Sequence, residues 1–434
     1  MSFDPQARQL NDTIAATHPQ ILEMLSQRGK AIYFPKLGVL AQSAEAQGKD
    51  INATIGIALE EDGSPLCLPS LSDAIKLPKS NAFTYAPSPG RPDLRKLWKE
   101  MILQKSPGLK GKIFSQPVVS AALTHGLSMT AYLFCDAGDK VILPDLYWEN
   151  YDLVFNLAYG AELEKFPTFN VDGGFNIEGL RAKLKAGAKG GKQIVCLNFP
   201  NNPSGYTPLI EEAAAIVSVL KEAAEAGNKV VAILDDAYFG LVFEKGVFEE
   251  SIFAPLCDAH PNLLAVKIDG ATKEDYVWGF RVGFMTYGIQ GGTAALYEAL
   301  EAKTGGAIRG NISNSSHPAQ SLLLAAWSSP GYAAEKKRAH DLLKKRYDAV
   351  REILAAHPEY REAFVALPFN SGYFMCIRPV KVDAEILRKK LLAKYSTGTV
   401  NFGGILRVAF SATPTDKLPK LFENVYQAAK GLAA

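Results

Sequence analysis

The sequence is poor in the features that mark whole classes of protein. It has no surplus of one charge: across 434 residues, 47 Lys+Arg stand against 45 Asp+Glu, a formal net charge of +2. That balance removes the basic field on which nucleic-acid binding rests, while leaving a small anionic ligand compatible. Cysteine is scarce and odd in number. Cys67, Cys135, Cys196, Cys257 and Cys376 are scattered without a C-x-x-C pair, so neither a disulfide framework nor a metal site is expected. A reducing cytoplasm is the expected compartment. No apolar run reaches the roughly 20 residues needed to span a bilayer. The stretch "MSFDPQARQLNDTIAATHP" lacks the basic start and apolar block of an export signal, and no membrane partner is expected.

What is present is an ordinary soluble composition, 47% hydrophobic and 21% charged, in a chain long enough to bury a large core. Between about residues 115 and 290, short apolar runs bounded by turn residues alternate with stretches of helical composition. The clearest runs are "KVILPD", "KQIVCLNFP", "KVVAILDD" and "NLLAVKIDG". Such alternation predicts an α/β fold with a wound, mostly parallel sheet between helices. "EEAAAIVSVLKEAAEAGNK" reads as an amphipathic helix closed by Gly227 and Asn228. After Pro330 the apolar spacing of three and four predicts one long helix. It leads into a smaller unit with strands in "GYFMCIRP" and "GGILRVAFS". Lys336, Lys337, Arg338, Lys344, Lys345 and Arg346 are expected on a solvated face of that helix, offset by Glu335, Asp341 and Asp348. Near the start, "NDTIAATHPQILEML" looks helical, and "AEAQGKDINATIG" looks like a helix end followed by an extended segment.

Ligands of open α/β sheets bind beyond the carboxyl ends of the strands, where helix N-termini and loop amides converge. Asp145 and Trp148 follow the first clear run, Asn201 and Asn202 the second, Asp235, Asp236 and Tyr238 the third, and Lys273 the fourth. Each alone has an ordinary explanation: a lid or core Trp, a turn, a helix cap, a solvent-facing lysine. Together they supply one aromatic, one amide, one acid, one phenol and one amine facing a common crevice. That set meets the needs of pyridoxal phosphate: a lysine for its aldehyde, a carboxylate to keep its ring nitrogen protonated, and donors for its ring oxygen and phosphate. Arg281, eight residues after Lys273, suits a phosphate.

The motifs around these residues resemble those of the fold-type I aminotransferases, in particular the aspartate and aromatic aminotransferase branch. "NNPSG" is similar to that family's N-P-[TS]-G element, "DDAY" to its D-x-A-Y element, and "TKEDYVWGFRVG" to its Schiff-base lysine followed by a phosphate-binding arginine. The resemblance runs from about Ile51 to Ser411. It implies a large cofactor-binding domain with a seven-stranded sheet over 75–330. A smaller α+β domain would draw on both chain ends, as an N-terminal arm over 1–74 and a C-terminal part over 331–434.

Residue by residue, the resemblance implies that Lys273 carries the cofactor and moves the proton. Asp235 would pair with the pyridine nitrogen, Asn202 and Tyr238 would hold the ring oxygen, and Trp148 would stack on the ring. Arg281, with the amides and hydroxyl around Ala122, Leu123 and Thr124, would bind the phosphate. Tyr85, in "YAPSPGRPDLR", would reach that phosphate from a neighbouring subunit, which implies a homodimer. Arg407 would capture the substrate α-carboxylate, and Arg309, across the subunit boundary, a side-chain carboxylate. Gly56, Asn202, Phe374 and Trp148 would border the substrate, and Trp148, Tyr373 and Phe374 leave room for an aromatic side chain.

The sequence departs from the family pattern at Gly270, where a phosphate-donating serine is common, in the glycine-poor "ALTHG", and in "SNSSHP", which replaces a run of prolines. The expected reaction is transamination between an L-amino acid and a 2-oxo acid such as 2-oxoglutarate. A β-lyase or decarboxylase on the same cofactor is the alternative, since spacing does not say which Cα bond is aligned. An aminotransferase-like regulator would need a DNA-binding module that the first fifty residues do not resemble.

Overall fold

The computed structural model describes all residues except 1–2, 18, 33–37, 73–74, 188–189 and 434. Its strands in chain order are β1 (Ile51–Asn52), β2 (Val118–Ser120), β3 (Lys140–Pro144), β4 (Glu162–Phe166), β5 (Lys192–Asn198), β6 (Lys229–Asp235), β7 (Leu263–Asp269), β8 (Gly283–Gly288), β9 (Phe364–Ala366), β10 (Phe374–Pro379), β11 (Thr397–Gly398), β12 (Val400–Phe402) and β13 (Ile405–Ala409). Seven of them form one sheet in the order β2-β8-β7-β6-β5-β3-β4. All pairs are parallel except those made by β8, which runs against both neighbours. The four apolar runs expected to be strands are β3, β5, β6 and β7.

The β-branched, nearly continuous apolar composition of β5 and β6 follows from their place. Beyond the first lysine, every residue of both strands is buried, as befits strands covered on both faces. Helix Ile210–Glu225 joins them, and Gly227, with φ +95°, closes its end in the left-handed conformation that glycine adopts without strain. β4, at the sheet edge, carries Glu162, Glu164 and Lys165, the charged character that keeps an edge from pairing further.

The second sheet is antiparallel, β12-β13-β10-β9, with Cys376 opposite Arg407. β1 pairs in parallel with β11, Ile51 opposite Thr397, so the N-terminal segment lies against the C-terminal one. The expected helix end and extended segment there are the helix Val39–Glu45 and β1. Further upstream, the helices Pro5–Thr17 and Pro19–Met24 occupy the stretch read as helical, apart from residue 18, which lies outside the described residues. The long helix after Pro330 spans Tyr332–Ala356.

The expectation of a wholly solvated basic face on that helix is corrected. Arg346 is completely buried and donates to the Ser411 carbonyl at 2.5 Å, and Lys336 turns inward to Glu274 and Asp275. The reason is helical phase: the buried stripe is Ala339, Leu343, Arg346, Tyr347 and Val350, and position 346 falls on it. Lys337 and Lys344 do lie outside, paired with Asp341 and Asp348.

Candidate active site

The carboxyl ends of β5, β6 and β7, with the start of the helix Ala122–Phe134, open onto one cavity of about 380 Å³. Lys273, Asp235, Tyr238, Ala122, Leu123, Thr124, Trp148, Asn202, Arg281, Gly56, Phe374 and Arg407 all line it. Three residues expected at the site do not: Tyr373 is wholly buried outside the lining, and two others lie on the surface. Tyr85 is 88% exposed, and Arg309 sits exposed near the end of the helix Ala294–Asn311, donating to Ser313 Oγ at 2.8 Å.

Asp235 ends β6 fully buried. Its Oδ2 accepts from the Tyr151 hydroxyl at 2.5 Å and its Oδ1 from the Ala237 amide at 3.2 Å. Burial pushes its carboxyl above the ordinary value of 3.8, opposed by the Tyr151 bond and the Lys273 charge. The neighbouring loop is tied to it: Asn198 donates to the Asp235 carbonyl at 2.7 Å and accepts from the Asn202 amide at 2.8 Å. Both X-Pro bonds of this loop, Phe199–Pro200 and Asn202–Pro203, are cis. Asn201, by contrast, serves the turn, accepting from Ser204 and donating to the Leu146 carbonyl.

Lys273 lies in the one-turn helix Ala271–Glu274 that follows β7. Its ammonium is 5.2 Å from the Tyr238 ring centroid, and Tyr373 donates to its carbonyl at 3.0 Å. Burial, first, and then the Arg281 charge pull its pKa from 10.5 to about 8, against the opposing effect of Asp235. The neutral amine is therefore reached at lower pH than in an exposed lysine.

Three backbone segments converge where the phosphate donors were expected. Ala122 has φ +63° and Arg281 φ +55°, a region that non-glycine residues enter at a cost and mostly at functional positions. A Cβ on Gly283 would come within 2.7 Å of the Ala122 carbonyl carbon, and one on Gly270 within 2.8 Å of both Gly283 Cα and the Val282 oxygen. A serine at 270 would thus collide with backbone, which explains the glycine. Thr272 Oγ1, by contrast, is buried at the cavity wall with no protein partner. Arg281 makes one hydrogen bond, to the Trp278 carbonyl at 3.2 Å.

Arg407, on β13, enters from the other side. It donates to Asn202 Oδ1 at 2.9 Å and to the Thr54 carbonyl at 3.0 Å, lies 4.1 Å over the Phe374 ring, and leaves Nε unpartnered. Its partners are neutral oxygens, and burial lowers its pKa. A buried guanidinium so placed favours a carboxylate brought in by a ligand.

Two sets of residues escaped the sequence reading. Tyr151 is one; its signal was the three-residue spacing from Trp148, which puts both rings on one face of a helical turn, and they do meet edge to face at 5.8 Å. Val39 and Ser43, on the helix Val39–Glu45, line the cavity with Ile55. Nothing local in the sequence marks them, because that wall meets strand ends that lie far along the chain.

The model of the aminotransferase class I and II family matches residues 49–425. The chain belongs to that family. It is 26% identical to an aspartate aminotransferase of Geobacillus stearothermophilus over 310 residues, 69% of each chain. It is 23% identical to a probable aspartate/prephenate aminotransferase of Aquifex aeolicus, over 92% of this chain and 95% of that one. Among solved structures, an aminotransferase from Anaerococcus prevotii superposes with a TM-score of 0.82 at 25% identity, covering 94% of this chain and 99% of its own. This is therefore a pyridoxal-phosphate-dependent aminotransferase of fold type I, whose large sheet has the expected seven strands. The cavity fits the cofactor on its own terms: an amine of lowered pKa, a buried acid, an orphaned hydroxyl at Thr272 and a guanidinium with no acid partner among the described residues. Among the described residues no cluster suits a metal ion, and no helix is long and apolar enough to cross a membrane.

Proposed function

We propose that the enzyme transfers the amino group of an L-amino acid, aspartate or an aromatic one, to a 2-oxo acid such as 2-oxoglutarate. The observation that carries this reading is the joint opening of Lys273, Asp235, Arg281 and Arg407 onto one cavity. In it, two guanidinium groups that form no salt bridge among the described residues flank one amine and one acid. The curated relatives named for aspartate and prephenate support the substrate class.

Bound pyridoxal phosphate supplies the electron sink that lets a Cα–H bond ionise. Lys273 would hold the cofactor through its amine, and the same amine would serve as the base that moves the substrate's Cα proton. Asp235, held by Tyr151 and the Ala237 amide, would pair with the pyridine nitrogen and favour its protonated form. Asn202 and Tyr238 would donate to the ring oxygen, and Trp148 would cover the ring. Arg281 would bind the phosphate with the amides of Ala122 and Leu123 and the Thr124 hydroxyl. Arg407 orients the substrate through its α-carboxylate, with Phe374 beneath the guanidinium and Gly56 leaving room beside it.

The same reading makes the enzyme a homodimer with shared sites. Tyr85 and Arg309, both exposed here, would enter the partner's cavity, Tyr85 at the phosphate and Arg309 at a side-chain carboxylate. It also divides the chain at about residues 74 and 330, with the β1–β11 pairing supporting a small domain built from both ends.

The test is a panel of amino acids with 2-oxoglutarate, following glutamate and the new 2-oxo acid. One-to-one formation is expected, with aspartate or aromatic donors fastest. Consumption of the donor without glutamate would overturn the reading in favour of a lyase or decarboxylase. Arg407→Met is expected to lower kcat/KM for every donor by about 100-fold, mainly through KM, and Arg309→Ala only for dicarboxylates.

A further inference from the structure

Each reactive residue of the site is followed directly by a buried acid: Asp235 by Asp236, and Lys273 by Glu274. Strand alternation turns Asp236 away from the cavity, to the opposite face of the large sheet. There it meets Lys267. The register of β6 and β7 sets Lys267 opposite Leu234, and Ile268 opposite Asp235, so Lys267 shares the face of Asp236 and Asp269. Its side chain is sealed from solvent and pairs with Asp236 and, at 3.2 Å, with Asp269. Ser251 donates to Asp236 at 2.6 Å, Trp98 donates to Asp269 at 3.0 Å, and the ammonium lies 4.8 Å over the Phe239 ring.

Lys267 is the one cation among the described residues paired with these two carboxylates. Without it, the chain would bury three carboxylates around the end of β6, namely Asp235, Asp236 and Asp269. Charges taken out of water in this way act strongly on one another. Asp236 already raises the proton affinity of Asp235, and an uncompensated Asp236 would push Asp235 toward the neutral acid, which cannot hold a pyridinium. The backbone consequence points the same way: the Asp236 amide donates to the Ile268 carbonyl at 2.9 Å, so the Lys267–Asp236 pair and this bond together fix the turn that presents Asp235 and Tyr238.

We propose that Lys267 is a positioning residue for the cofactor: from behind the sheet it neutralises Asp236 and Asp269, and thereby keeps Asp235 an oriented anion in the cavity. The proposal rests on the cofactor reading of the site and is tested separately from substrate turnover. The groups that act on Asp235 are Tyr151, Lys273, Asp236 and the Ala237 amide, with Tyr238 and Cys196 also within its field, and those that act on Lys267 are Asp236 and Asp269.

The experiment uses the cofactor-loaded full chain and reads two quantities, the pyridoxal phosphate dissociation constant and the pH midpoint of the cofactor's visible absorbance. Lys267→Met adds net negative charge beside the site. It is expected to weaken binding about tenfold and raise the midpoint by about one pH unit. Asp236→Asn keeps the Lys267–Asp269 pair, folds without an unpaired acid, and is expected to move the midpoint the opposite way. The double variant should return both readouts toward wild type. If Lys267→Met melts at a lower temperature but leaves binding and midpoint unchanged, or if Asp236→Asn shifts the midpoint upward, Lys267 is merely structural and the proposal fails. If the wild-type chain binds no cofactor, the reading beneath it fails instead.

Discussion

Lys267 and Lys273 lie six residues apart, on either side of the turn that leaves β7, and the fold gives them opposite chemistry. Lys273 opens onto the cavity and its pKa falls to about 8. Lys267 is sealed behind the sheet, yet its pKa rises to about 12. Desolvation works against the charged form in both. The difference lies in partners: Lys267 contacts two carboxylates directly, whereas Lys273 has Asp235 at a distance, opposed by the Arg281 cation. A buried lysine is therefore a structural cation or a nucleophile according to the acids beside it, and burial alone does not decide which.

The strongest way to break the contrast is to remove its reactive half. Lys273→Ala should lose at least about 1000-fold in transamination, and borohydride treatment should no longer fix the cofactor to the chain, as read by mass spectrometry. An intermediate effect is expected at the acid next to it. Glu274 is buried, bonded to Lys105 and Lys336, and held at about 2, below its ordinary 4.5. Because the folded value is the lower one, the stabilisation is complete above about pH 4.5 and is lost as the pH falls from there toward 2. Glu274→Gln should cost roughly 3 kcal/mol in urea unfolding at pH 7, and its deficit should shrink in acid. The smallest effect sharpens the comparison directly: the rate at which cofactor-free protein captures pyridoxal phosphate should rise with pH and level off above about 8, following the neutral form of Lys273. A rise continuing past pH 10 would mean that Lys273 is an ordinary surface-like amine.

Much of the site was legible because its chemistry sits in short motifs at strand ends. "DDAY", "NNPSG" and the Lys273–Arg281 spacing each bring their side chains to the cavity by local turn geometry. Tyr151 was missed because its role is defined by a hydrogen bond to a strand 84 residues further on. Arg346 was misjudged because a cation on a charged helix reads as solvated until the phase of the buried stripe is known. β4 carried no apolar alternation, being a charged edge.

By itself, the sequence determined the alternation that makes a wound sheet, the residue types suited to a pyridine ring and a phosphate, and their order along the chain. All of these follow from local periodicity and from chemistry that only certain side chains can do. The tertiary structure alone decided which charges are paired behind the sheet, which wall of the cavity the N-terminal helix supplies, and why position 270 is glycine. Those depend on distances between segments far apart in the chain, and on a dielectric that exists only once the core has closed around them.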